Sequence, residues 1–188
     1  MKYENVIYDK KHKANCLYWH GTSIKNTYNL LTSTREGEAF PLAWISSSFK
    51  YARKYALLNQ DSNNIMYLVR QTRELNIFNS RSDVDLEILI KKISKYDNER
   101  IREFIKNNDW MEHPQTEKKS LRKDLLEIIQ SIGYDGIFNF ETIKNPAVGI
   151  FSHATGFVPI IKSYYLDKIN KIWINPKNPE NFIEDTPN

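Results

Sequence analysis

The feature that most constrains the fold is an apolar, aromatic run that ends in a histidine and a glycine, LYWHGTS at residues 17–23. Aromatic residues followed by turn-forming residues are typical of a buried strand, here over 16–20, that ends in a turn. A histidine at a strand end has a fixed ring, so His20 could hold a polar ligand in one orientation. Because Gly21 has no Cβ, a ligand could approach the backbone there. The alternative is a core histidine at an ordinary junction between a strand and a helix.

Two hydroxyl residues follow the glycine and leave two further interpretations open. Thr22 and Ser23 could bond a ligand, or they could cap a helix. Apolar residues at helical spacing predict that helix over 24–31, ending before the turn-rich residues 32–34.

Composition favours one domain over 1–188, with a core at about 14–165 and an extended tail. A chain of 188 residues is long enough for a substantial core, and its aromatic content of 13% argues against disorder. The formal net charge of +4 permits an acidic partner such as a nucleotide without requiring nucleic acid. Cys16 is the single cysteine, which excludes a disulfide framework and a cysteine-based metal site.

The sequence also indicates where the protein is located, whether it is a monomer and whether it holds a metal. Residues 1–13 are polar and contain no apolar stretch typical of a signal peptide, and no apolar run reaches the length of a membrane span. The four histidines lack the spacing of metal ligands. We therefore expect a monomer without a metal, either cytoplasmic or delivered into a host cell without a classical signal peptide.

Hydrophobic periodicity predicts alternating strands and helices, as in an α+β fold. Strands are expected after Pro41 and at 65–69, 75–78, 137–140 and 147–151, and 158–161 could pair as well. Two helices are predicted between 83 and 105, and a polar loop between 107 and 119. The clearest helix is predicted over 120–132, with Ser120 as its N-cap and Gly133 as its stop signal.

Residues 44–56 predict a strand, a serine-rich turn and a helix. Ser47 or Ser48 would make a good N-cap. Ala52 and Ala56 form a stripe of small residues, which would let the helix lie close to a sheet.

Two tyrosines of this helix, Tyr51 and Tyr55, are four residues apart and share one helical face. They could line a ligand site, or they could be core residues of an amphipathic helix. Periodicity alone does not choose between these interpretations.

Three segments in this order resemble the ADP-ribosyltransferase superfamily: LYWHGT at 17–22, the strand–turn–helix at 44–56, and GYDG at 133–136 with its two strands. The closer branch is that of diphtheria toxin and the poly(ADP-ribose) polymerases, which has a His-Tyr-Glu triad. The resemblance implies an α+β fold with a split, mixed β-sheet and flanking helices that binds NAD between two half-sheets.

The resemblance also implies roles for individual residues. His20 would hold the adenosine ribose of NAD, the Gly21 backbone would bind the nicotinamide amide, and Tyr55 would stack on the nicotinamide. Ala52 stands where some members have a serine that bonds the amide, so that contact is absent here. The cofactor-binding residues expected in this way are His20, Gly21, Thr22, Trp44, Ser46 and Tyr55.

The glutamate of the triad does not align directly. In the family it stands four residues before an aromatic residue, and counting back from Phe151 reaches Ala147. The nearest acidic residue is Glu141, at the end of the preceding strand. Either Glu141 completes a catalytic set with His20 and Tyr55, or the glutamate is absent.

The implied activity is a mono-ADP-ribosyltransferase that moves ADP-ribose from NAD to a macromolecule, a protein rather than a nucleic acid, and releases nicotinamide. Acceptor choice would depend on surface loops such as 107–119. One alternative is a catalytically silent module that binds NAD, ADP-ribose or a protein. Another is a tRNA 2′-phosphotransferase, for which Arg70, Arg73 and Arg81 are the candidate phosphate ligands.

Overall fold

The computed structural model describes residues 11–12, 16–23, 25, 29–30, 42–58, 63–79, 82–93, 99, 102–103, 116–139 and 147–185. These residues form an α+β fold. The strands are β1 (Lys11–His12), β2 (Leu17–Thr22), β3 (Ala43–Ser46), β4 (Ile65–Arg70), β5 (Leu75–Phe78), β6 (Gly136–Asn139), β7 (Ala147–Ile150), β8 (Ile160–Asp167), β9 (Ile172–Asn175) and β10 (Asn178–Glu184). The helices are α1 (Phe49–Ala56), α2 (Asp83–Lys92), α3 (Thr116–Ser131) and α4 (Ser152–Thr155).

The strands form one mixed sheet in the order β1-β5-β6-β7-β3-β2-β4-β8-β9-β10. The β5–β6 pair is parallel, and the other pairs of neighbours are antiparallel. β2 pairs with β4 along its whole length, and β3 does so with β7. Between β2 and β3, however, the described register is a single pair, Trp19 with Ser46. The sheet is therefore split into two half-sheets that part beyond Trp19.

Side chains on the two faces of the sheet enter different cores, because neighbouring residues of a strand point to opposite faces. On one face, a single cluster runs across both half-sheets and includes Tyr18, Tyr67, Ile45 and Val148. On the other face there are two clusters. One lies between α1 and the half-sheet of β2, and the second lies between α2, α3 and the half-sheet of β3. The split therefore opens on the helical face, between two separately packed layers.

Helix α1 lies unusually close to β2. A Cβ built on Gly21 would stand 1.9 Å from the carbonyl oxygen of Ala52 and 2.9 Å from the nitrogen of Ala56. The close approach predicted for the Ala52–Ala56 stripe is confirmed. The prediction that the missing Cβ of Gly21 makes room for a ligand is corrected, however. That space is occupied by α1, so a ligand would have to approach the Gly21 backbone from another side.

Helix α3 starts earlier than predicted. It begins at Thr116, so Ser120 is inside the helix and not its cap, and 116–119 are helical rather than part of a loop. The predicted stop is confirmed, since Gly133 has a φ of 97° in the left-handed region that favours glycine. α1 is capped by Ser48, whose side chain accepts the Tyr51 N–H.

Two other expectations near the ends of the chain are corrected. β2 continues through Thr22 where a turn was predicted, because Gly21 and Thr22 pair with Met66 and Ile65 of β4. Residues 172–184 form a hairpin instead of an extended tail, with β9 paired to both β8 and β10. The fully buried Trp173 makes this hairpin part of the core, which therefore extends past residue 165.

Of the remaining predictions, most strands are confirmed, one helix is contradicted at Asn29, and several segments lie outside the described residues. The strands expected after Pro41 and at 65–69, 75–78, 137–140 and 147–151 correspond to β3 to β7. The helix predicted over 24–31 does not include Asn29, which forms an isolated bridge with Pro159. Most other residues of that predicted helix lie outside the described residues. The same holds for the segment 140–146 and the loop 107–115. Within the described ranges, no helix has the length and apolar character of a membrane span.

Candidate functional site

The candidate site lies where β2 and β3 part. Beyond Trp19, backbone pairing between these strands gives way to a side-chain contact, in which the Nδ1 atom of His20 lies 2.6 Å from the carbonyl oxygen of Trp44. His20 is buried, with 6% of its surface exposed, and its ring stacks on Tyr67, the residue opposite it on β4. The structure thus brings the predicted His20 to the Trp44 backbone across the split. The His20 ring, however, shares the face of Tyr18 and Tyr67, which is opposite the face that carries the Trp44 indole and α1.

The bond to Trp44 fixes the chemical form of the imidazole. A carbonyl oxygen only accepts hydrogen bonds, so Nδ1 must carry the proton. Burial lowers the pKa of His20, and the bond to the Trp44 carbonyl opposes this only in part. The ring is therefore neutral at pH 7, and Nε2 keeps its lone pair. Among the described residues nothing donates to Nε2, so this atom could accept a hydrogen bond from a ligand hydroxyl.

Trp44 contributes to the split through both its backbone and its ring. Its carbonyl holds His20, whereas its indole lies over Gly149 of β7, where two ring carbons are 3.0 Å from the position of an added Cβ. The ring packs against the cluster under α2 and α3 and stays partly exposed. Trp44 is thus a half-buried aromatic surface on the helical face, on the β3 side of the split.

The orientation of α1 can be derived from its contacts. Ala52 and Ala56 rest on Gly21, whereas Phe49 and Arg53 contact the β9–β10 hairpin through Trp173 and Asp185. At 3.6 residues per turn, Phe49 and Arg53 are displaced from the alanines by roughly 60° to one side, and the two tyrosines by roughly 100° to the other. The tyrosine flank of α1 therefore faces away from the hairpin, on the side of the helix toward β3 and the split.

The two tyrosines form a pair on this flank. The hydroxyl oxygens of Tyr51 and Tyr55 are 2.9 Å apart, and their rings meet edge to face with centroids 5.3 Å apart. Tyr51 is buried and Tyr55 is partly exposed. This difference favours Tyr55 as the residue available to a ligand and Tyr51 as the one that supports it.

The other two predicted binding residues lie at opposite ends of the split, because β2 and β3 are antiparallel and each residue ends its strand. Thr22 ends β2 opposite Ile65 and is partly buried. Ser46 is buried at the end of β3, and its hydroxyl accepts the N–H of Ser48 at the start of α1. Ser46 thus fixes the serine-rich turn at 46–48, from which α1 begins. Glu141 lies outside the described residues, so its role stays a prediction.

The phosphate ligands considered for the phosphotransferase alternative are not brought together among the described residues. Arg73 forms a bidentate ion pair with Asp135, with N–O distances of 2.7 and 3.0 Å. Its guanidinium also lies 4.1 Å from the ring centre of Phe157. Arg70 is exposed at the end of β4, and Arg81 is outside the described residues. A clustered arginine site for phosphate therefore has no support from this geometry.

Two features of the site were missed by the sequence interpretation. The stacking of Tyr67 on His20 depends on the register of β2 and β4, which no local pattern reveals. The contact between Arg53 and Asp185 joins residues 132 positions apart. In the described part of the chain, no group of three or more His, Cys, Asp or Glu side chains could hold a metal ion.

Comparisons with known proteins give little further guidance. The chain matches no protein-family model and no curated protein sequence. Among solved structures it is similar to the crystal structure of the M. tuberculosis MbcT–MbcA toxin–antitoxin complex, with a TM-score of 0.39 and 11% sequence identity. That similarity covers 87% of this chain and 91% of the other. A similarity this low carries no argument about function, which has to come from the site itself.

Proposed function

We propose that this chain is an NAD-dependent mono-ADP-ribosyltransferase that binds NAD in the split between β2 and β3. The observation that supports this most is the bond from His20 Nδ1–H to the Trp44 carbonyl. It holds a neutral imidazole where the two half-sheets part and leaves Nε2 as an acceptor. A ribose hydroxyl is the donor that such a nitrogen would bind, and it would do so without a charge on the protein.

Each proposed contact has its own support in the geometry. His20 would accept from the adenosine ribose, and the Gly21 backbone, on the side of β2 away from its partner Met66, would bind the nicotinamide amide. Tyr55 and Trp44, which flank the split on α1 and β3, would place aromatic surfaces beside the nicotinamide ring. Thr22 and Ser46 end the antiparallel strands β2 and β3 and would line the two ends of the split.

The reaction breaks the bond between nicotinamide and the anomeric carbon of its ribose. The bonding electron pair leaves with nicotinamide, and an acceptor nucleophile forms the new bond to that carbon while losing a proton. Positive charge develops on the ribose, as in glycoside hydrolysis, and is best stabilised by a nearby carboxylate. Glu141 is the proposed carboxylate, and a protein side chain is the proposed acceptor. We further propose that the chain acts as a monomeric single domain in the cytoplasm.

The direct test is to replace His20 and measure NAD binding by calorimetry. His20→Ala removes the acceptor nitrogen and the bond across the split, so we expect NAD affinity to fall about tenfold or more, as for loss of a buried hydrogen bond of about 1–3 kcal/mol. His153→Ala is the matched control, because His153 is exposed on α4. An unchanged affinity in a folded His20→Ala protein would contradict the proposed site.

Nicotinamide release then separates the proposed enzyme from a silent module. Wild-type protein incubated with NAD and a mixture of candidate acceptor proteins should release nicotinamide and label an acceptor. Binding of NAD without release under any acceptor condition would indicate the silent NAD-binding alternative instead.

The two tyrosines should respond differently to replacement. Tyr55→Leu keeps apolar bulk but removes an aromatic surface, so we expect weaker NAD binding by about 0.5–1.5 kcal/mol. Tyr51→Leu should mainly lower stability, because Tyr51 is buried. Calorimetry and thermal unfolding of both variants check this. If Tyr51→Leu alone weakens NAD binding, the flank of α1 that meets NAD has been assigned wrongly.

A further inference from the structure

Helix α1 is held on one flank by the C-terminal hairpin. Asp185, just after β10, receives the guanidinium of Arg53 through two contacts, one of them 2.7 Å long from Nη2 to Oδ2. The indole N–H of Trp173 on β9 donates to the same carboxylate at 2.8 Å. The Arg53 hydrogen bonds keep the pKa of Asp185 below its usual range against the effect of burial, and Trp173 assists. The carboxylate therefore stays ionised.

Aromatic packing continues this contact toward the sheet. The rings of Trp173 and Phe49 meet edge to face with centroids 6.0 Å apart, and Phe49 and Trp19 do so at 5.0 Å. Trp173 is fully buried, and the N–H of Asp185 donates to the Lys171 carbonyl, which closes the hairpin at its open end. The hairpin is thus a firm support for the Arg53 flank.

The ends of α1 are fixed separately from its flanks. Ser48 caps its first turn, and the side-chain amide of the buried Asn64 donates to the Ala56 carbonyl in its last turn at 2.6 Å. These caps set where the helix begins and ends. Rotation about the helix axis is set by side contacts: Ala52 and Ala56 rest on Gly21, Phe49 packs against Trp19 and Trp173, and Arg53 bonds Asp185.

We propose that Arg53, Asp185 and Trp173 are positioning residues, which fix the rotation of α1 and thereby present the opposite, tyrosine-bearing flank to the split. The expected effect of these residues on NAD binding rests on the proposed function. The structural part of the proposal, the restraint on α1, stands independently. A rotation that moved Arg53 outward would turn Tyr51 and Tyr55 by the same angle, because all three side chains belong to one short helix.

The chain provides a matched control for this proposal. Arg73 and Asp135 form a second bidentate pair, and its carboxylate is 10% exposed, as is that of Asp185. This control pair belongs to the other half-sheet, since Asp135 also accepts the N–H of Asn76 on β5. Asp185→Asn and Asp135→Asn therefore make equivalent chemical changes, and only the first touches α1.

The experiment measures amide hydrogen exchange, thermal unfolding and NAD affinity on the full chain. Both variants should unfold at lower temperature. Asp185→Asn should raise exchange in 49–57 at least fivefold and weaken NAD binding about tenfold, whereas Asp135→Asn should change neither. Arg53→Lys, which keeps the charge but loses the fork of donors, should fall between Asp185→Asn and wild type, and it replaces Asp185→Asn as the test if that variant does not fold.

The outcomes separate this proposal from the proposed function. Unchanged exchange in 49–57 of Asp185→Asn, or an equal increase there in Asp135→Asn, would overturn the positioning role. Increased exchange with unchanged NAD affinity would overturn its consequence for the site. Wild-type protein that does not bind NAD would overturn the proposed function, and the exchange data would still decide the restraint on α1.

Discussion

Replacing Gly21 with alanine is expected to destabilise the protein by about 3 kcal/mol or more, at the upper end of the cost of overpacking. The new methyl group would stand 1.9 Å from the Ala52 carbonyl oxygen and 2.9 Å from the Ala56 nitrogen. Both are backbone atoms of α1, so no change of rotamer relieves the contact. The helix has to move away from β2, and the hairpin contacts and the tyrosine flank move with it.

Chemical unfolding of Gly21→Ala measures this effect. Gly156→Ala is the control, because Gly156 has a φ of −61° and nothing lies within 4 Å of an added Cβ. That variant should be neutral or slightly more stable, since alanine restricts the unfolded chain. Ala52→Gly should not rescue Gly21→Ala, because the clash is with the backbone. Equal stability of Gly21→Ala and wild type would show that α1 does not rest on this glycine.

The largest expected effect on turnover comes from Glu141→Gln. If Glu141 faces the ribose, its carboxylate stabilises developing positive charge in the transition state more than in bound NAD. The amide keeps the shape but removes the charge, so nicotinamide release should fall about 100-fold or more while NAD affinity stays within about twofold. Initial rates of release and calorimetry on the same preparations measure the two quantities.

Glu127→Gln is a suitable control for Glu141→Gln, because Glu127 is exposed on α3. Its rate of nicotinamide release should equal that of wild type. Equal rates for Glu141→Gln and wild type would remove Glu141 from the mechanism. A parallel fall in affinity and rate would instead assign it to binding.

The strands that sequence predicted correctly are those with a local signal. Residues 65–69 are an apolar run and 75–78 a mostly apolar one, both bounded by polar residues, and they lie in β4 and β5. β10 carries no such signal: it contains Pro179 and mostly polar side chains, and it is a strand because it pairs with β9. The prediction of an extended tail was wrong for that reason.

Individual residues of the candidate site could be predicted from the sequence, but their arrangement in space could not. LYWHGT identified His20 and Gly21, but not the split, which depends on how β3 pairs with β7 about 100 positions later. The glycine was expected to admit a ligand, and the residue beside it is instead Ala52 of α1. Periodicity placed Tyr51 and Tyr55 on one face, whereas the direction of that face follows from distant contacts of Phe49 and Arg53 with the hairpin.

The split between the half-sheets has a consequence for how the molecule can move. The chain passes from one half-sheet to the other five times: between β1 and β2, β2 and β3, β3 and β4, β4 and β5, and β7 and β8. Hinge closure needs the moving bodies to be joined by a few residues that absorb the change in backbone angles. Five crossings and a hydrophobic cluster shared by both halves oppose such a closure. We therefore expect the two half-sheets to keep their relative position when a ligand binds in the split.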